Sequence, residues 1–100
     1  MSVHIEDLAS AVYFYAPGDS YEAGSEPAAV GSLARKEHGE VEVLSTKGEL
    51  SLPNLRELVR QLTDRGVHRL HIKRRKGHRV PMGKLVKSEK AFDYYVVDLA

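Results

Sequence analysis

Residues 51–66 read SLPNLRELVRQLTDRG. Leu52, Leu55, Leu58, Val59 and Leu62 recur at steps of three and four, which places them on one stripe of a helix. Ser51 offers a side-chain oxygen to cap the first turn. Pro53 is tolerated in that turn because the N–H it lacks would have no helical partner there. Gly66 is placed to end the helix in the left-handed conformation. Arg56, Glu57, Arg60, Gln61 and Asp64 take the other side, with Arg60 and Asp64 spaced as an i,i+4 pair. A helix over residues 51–65 with one apolar stripe has one face to bury, and segments of strand character flank it on both sides.

Toward the N-terminus, residues 11–16 (AVYFYA) are aromatic and β-branched and predict a strand, ended by Pro17-Gly18. Residues 19–27 form a polar loop whose acids, Asp19, Glu22 and Glu26, do not have calcium-loop spacing. Residues 30–36 and 40–46 predict a hairpin turning at His38-Gly39. Val41, Val43 and Ser45 share one of its faces, and Glu42 and Leu44 the other. Residues 2–10 fit a short helix and an extended segment equally well.

Toward the C-terminus, residues 67–74 alternate as a strand. His68, Leu70, Ile72 and Arg74 fall on one face, and Val67, Arg69, His71 and Lys73 on the other. Lys76-Gly77 is a turn. Pro81 excludes a central strand from residues 78–87, leaving an edge strand or an irregular crossing. Residues 92–99 (FDYYVVDL) are apolar on both faces and belong inside a sheet. The order is β-β-β-α-β-β. It predicts an α+β fold of two layers, a mostly antiparallel sheet with one long amphipathic helix on one face. The crossover through the helix is where a parallel pair is expected.

One hundred residues, 42% hydrophobic and 29% charged, suit a single domain over residues 1–100. The absence of cysteine excludes disulfides, a thiol nucleophile and Cys-based metal sites. No apolar run is long enough to cross a membrane as a helix. Met1-Ser2-Val3-His4 has neither the basic region nor the apolar core of a signal peptide, so the expectation is a cytoplasmic protein without a membrane partner.

Charge is distributed unevenly. Residues 1–64 carry five Lys/Arg and eleven Asp/Glu, a net of −6, whereas residues 65–100 carry ten and three, a net of +7. Either the two parts face each other, within the fold or across a homodimer, or the basic part forms a binding surface. The densest basic stretch is residues 68–79, HRLHIKRRKGHR. Arg69, Lys73, Arg74, Arg75, Lys76 and Arg79 predict a strand-turn ridge that attracts phosphates through charge and counterion release, with Arg adding bidentate geometry. Lys84, Lys87 and Lys90 extend it. The ridge itself holds no aromatic residue for stacking on bases. Tyr94 and Tyr95 belong to a later strand and take its opposite faces, with nothing in the sequence to assign which is which. His68 and His71 are three apart, which on a strand sends them to opposite faces, so no metal site is expected. No nucleophile elbow, phosphate loop or paired-carboxylate motif is present, and neither catalysis nor a cofactor is expected.

Arg74-Arg75-Lys76-Gly77-His78-Arg79 resembles the pyrophosphate loop of the GCN5-related N-acetyltransferases, Arg/Gln-x-x-Gly-x-Gly/Ala, over six residues. Arg79 stands where that family has a small residue, and the family's loop opens a long helix. The resemblance implies a reduced acyltransferase-like fold without activity, stabilised by coenzyme A.

The first expectation is a small non-catalytic protein that binds a polyanion, nucleic acid foremost, on this ridge. The alternative is a protein-interaction module, an adaptor or inhibitor, that docks the same ridge on an acidic partner surface. Five tyrosines suit such a surface and also self-association.

Overall fold

A computed structural model describes residues 3, 9–48, 50–78 and 80–99; for residues 9, 37 and 45–48 it describes the backbone only. The elements are β1 (Ala9–Phe14), β2 (Ala29–Glu37), β3 (Glu40–Gly48), α1 (Leu52–Asp64), β4 (Arg69–Arg75), β5 (Lys84–Ser88) and β6 (Phe92–Asp98). They form one six-stranded sheet in the order β1-β2-β3-β4-β6-β5. Only β3 and β4, joined through α1, run parallel. The other neighbours are antiparallel. This is the expected α+β architecture with one additional strand, because residues 84–88 pair at the sheet edge. The open reading of residues 2–10 falls mostly outside the described residues.

The helix forms as its sequence dictates. Ser51 Oγ accepts the Asn54 N–H at 3.2 Å, and the Ser51 carbonyl accepts the Leu55 N–H at 3.0 Å. At the other end Gly66 takes φ +80°. The N–H groups of Gly66 and Val67 return to the carbonyls of Thr63 and Leu62, both at 3.0 Å, which closes a Schellman motif. Arg60 bridges Glu57 and Asp64 along the exposed side.

Leu55, Leu58 and Leu62 are buried against Phe14, Ala29, Val41, Val43, Leu70, Ile72 and Val97 from five of the six strands. Strand alternation selects these residues: in β4 the burial runs buried–half-buried–buried from Leu70 to Arg74. The residues between them face away from the helix. The hairpin between β2 and β3 turns on Gly39 at φ +76°, where a Cβ would sit 2.7 Å from His68 Nε2. The Gly39 carbonyl also accepts the His68 N–H at 2.8 Å, tying this turn to the entrance of β4.

Two substitutions test this core. Leu55→Ala removes a fully buried side chain and is expected to cost about 2–5 kcal/mol in chemical denaturation. Gly39→Ala forces a positive φ on alanine and pushes a methyl into the His68 ring. It is expected to lower stability by at least about 1 kcal/mol.

Candidate functional site

The sheet face opposite α1 is where the charged residues of β4 and its neighbours meet. Register defines its rows. Glu40, Arg69 and Asp98 lie side by side across β3, β4 and β6. The next row is Glu42, His71, Val96 and Lys84, and the one after it Leu44, Lys73, Tyr94 and Lys87. Arg75 then lies opposite Phe92.

One end of this face neutralises itself. Arg69 Nε donates to Asp98 Oδ1 at 3.0 Å and its Nη1 lies 3.9 Å from Glu40. Glu40 Oε1 accepts from His71 Nε2 at 2.7 Å, and Lys36 sits 3.9 Å from Glu42. The hydrogen bond from His71, with help from the Arg69 charge, holds the Glu40 carboxyl below the usual carboxylate range.

The other end is basic and aromatic. Lys73 Nζ lies 4.5 Å from the centre of the Phe92 ring and 5.7 Å from that of Tyr94. Lys87 Nζ approaches Tyr94 from the far side at 5.3 Å. Such contacts are weak where water reaches them. The interaction between the Tyr94 phenol and the Glu89 carboxyl raises the phenol's pKa and lowers that of the carboxyl. Lys87 adds a 3.4 Å contact to Glu89. Among the described residues, no carboxylate pairs within 4 Å with Lys73, Arg75 or Lys84.

The structure therefore divides the ridge expected from residues 68–79. Lys73 and Arg75 stand on the helix-free face, and Arg69 is on the same face but held by two acids. Lys76 is engaged at the turn, donating to Ser88 Oγ at 2.7 Å and to the Glu89 carbonyl at 2.8 Å. Arg74 does not join a surface ridge. It lies on the face of Leu70 and Ile72 and is 2% exposed, because alternation along β4 turns every second side chain under the helix layer. Arg79 lies outside the described residues.

Residues 74–77 end a strand and make a turn, in which the His78 N–H returns to the Arg75 carbonyl at 3.2 Å. They open no helix, unlike the acyltransferase loop they resemble. Among the described residues, no three His, Cys, Asp or Glu side chains are grouped to hold a metal ion. No described helix is long and apolar enough to cross a membrane.

Sequence reasoning missed Phe92 and Tyr94 as members of the site. The signal was present in the alternation of FDYYVVD, which puts Phe92, Tyr94 and Val96 on one side. The missing information was that β6, and not β5, lies beside β4. A concavity of about 440 Å³ lies between β1 and α1. It is lined by residues of mixed character, among them Tyr13, Asp19, Glu57 and Arg65, and gathers no convergent charge. No family model, no curated protein and no solved structure matches this chain.

Two measurements check this division. Arg74→Glu places an acid in a buried position and is expected to cost about 3–5 kcal/mol, whereas Arg75→Glu is expected to leave the melting temperature nearly unchanged. Glu40 binds its proton less tightly in the folded than in the unfolded chain. Its contribution is therefore full above the ordinary carboxylate pKa of 4.5 and is lost as pH falls through the lowered folded value. Melting curves from pH 5 downward should fall more steeply for the parent chain than for Glu40→Gln.

Proposed function

We propose that this protein is a small non-catalytic binding protein that holds a polyanion, nucleic acid foremost, on the basic end of its helix-free sheet face. The observation that carries this reading is the placement of Lys73 and Arg75 on one sheet face with no carboxylate within 4 Å of either among the described residues. Edge-strand lysines 84 and 87 sit two strands away on the same face. Phosphates bind such a cluster by releasing condensed counterions, a contribution that is independent of sequence. Arg75 adds the planar fork that matches two phosphate oxygens. Lys76 helps by fixing the β5–β6 corner more than by contacting ligand, since its amine is already held. A cytoplasmic setting, where nucleic acid is abundant, fits this reading.

The experiment is fluorescence anisotropy of labelled oligonucleotides at low and near-physiological salt. Four cations meeting four phosphates should give a log–log salt slope of about −3 to −4. Lys73→Gln and Arg75→Gln are each expected to reduce that slope by about one unit and to leave the melting temperature in place. An absence of binding at low salt would remove nucleic acid. Capture of an acidic protein by the same residues would then favour the interaction-module reading.

A further inference from the structure

We infer that the nucleic acid bound on this face is single-stranded, with successive bases stacking on Phe92 and Tyr94 while its phosphates take Lys73, Arg75 and Lys87. This deepens the polyanion reading and rests on it.

Three features of the face carry the inference. The first is the choice of side chains. Phe92 and Tyr94 are two residues apart on β6 and therefore point to the same side, and both are partly exposed. Each stands directly across from a cation on β4, Phe92 from Arg75 and Tyr94 from Lys73. Tyr94 has a second cation, Lys87, across from it on β5. Ring and charge thus alternate across the face, as base and phosphate alternate along a strand of nucleic acid.

The second feature is spacing. Residues two apart on a strand are separated by about 6.8 Å, twice the 3.4 Å rise of stacked bases. A duplex keeps its bases stacked inside and offers only their edges and its backbone. Only a strand free to open its stack can set one base on each ring.

The third feature is what covers the rings. The lysine ammonium groups of Lys73 and Lys87 lie over them at 4.5 to 5.7 Å. Long flexible chains with charged ends are covers that a phosphate can draw aside. On binding, each ammonium exchanges an aromatic face for a phosphate oxygen, and a base takes the vacated face. The acids on this face lie mostly at the other end, where Glu40, Glu42 and Asp98 are already matched by Arg69, His71 and Lys36. Glu89 is taken up by Tyr94 and Lys87.

The test compares three labelled probes with the whole chain at one salt concentration: a single-stranded oligonucleotide, its duplex, and an abasic strand of equal length and charge. The expected order is single strand tightest, with duplex and abasic strand both weaker. Phe92→Leu and Tyr94→Leu are each expected to weaken the single strand by about 5-fold to 140-fold while leaving its salt slope unchanged, because a stacking contact and not a phosphate contact is lost. Tyr94→Phe, which keeps the ring, should retain affinity. The abasic comparison uses the unaltered chain, so it decides the matter even where a leucine variant folds poorly. Equal binding of all three probes would overturn base stacking and leave the phosphate reading standing. Failure of every probe at low salt would overturn both.

Discussion

Among the described residues one helix serves a sheet of six strands, and most of their arrangement follows from that ratio. Thirteen helical residues span about 20 Å, whereas six strands spaced about 4.8 Å apart make a sheet some 25 Å wide with two faces. The helix covers one face, and the cover is centred on Val43, Leu70 and Ile72, the most completely buried strand residues. Leu55, Leu58 and Leu62 supply that cover from a single stripe. The strand farthest from α1 on the β4 side, β5, has every residue exposed. Each strand residue is thereby sorted by parity into one that packs under the helix or one that meets water.

That sorting acts most sharply on β4. Lys73, Arg74 and Arg75 are consecutive cations in the sequence and read as one basic run. In the sheet they part company, two facing outward and one inward beside Leu70 and Ile72. Alternation alone predicts this, and it already put Arg74 on the face of Leu70 and Ile72. Counting charge along the chain is blind to parity, and so it adds Arg74 to a surface from which the strand excludes it. The physical rule for a strand outranks the compositional one.

The elements whose signals are local were legible in the sequence. The leucine stripe, the Ser51 cap and the Gly66 terminus define α1 within sixteen residues, and the His38-Gly39 turn defines the β2–β3 hairpin. The parallel β3–β4 pair follows from a helix standing between two strands. The neighbour of β4 was not legible, because strands β4 and β5 follow one another across the Lys76-Gly77 turn and invite a hairpin. The sheet instead inserts β6 between them. The reason is visible once both strands are compared. β6 offers apolar residues to both faces and can be paired on both edges. β5 follows Pro81 and Gly83, carries Lys84 and Lys87, and contains a register shift between Leu85 and Lys87. Charge and irregularity are what an edge strand tolerates and what an inner strand does not.

The same insertion decides the character of the candidate site. Had β5 paired with β4, the outward cations of β4 would face the lysines of β5, like charge against like. With β6 between them, Lys73 and Lys87 stand on either side of Tyr94, and Arg75 stands beside Phe92. The rings separate these cations across the face, with the Lys73 and Lys87 ammonium groups over them at 4.5 to 5.7 Å and Glu89 at 3.4 Å from Lys87. At the opposite end of the face, β3 brings Glu40 and Glu42 from the acidic part of the chain against Arg69 and His71 from the basic part. There the charge asymmetry of the sequence cancels within the fold. In the next rows, Lys73 and Arg75 have no carboxylate within 4 Å among the described residues and stand across from Tyr94 and Phe92. Cations and aromatic rings occupy one place because one strand order puts them there.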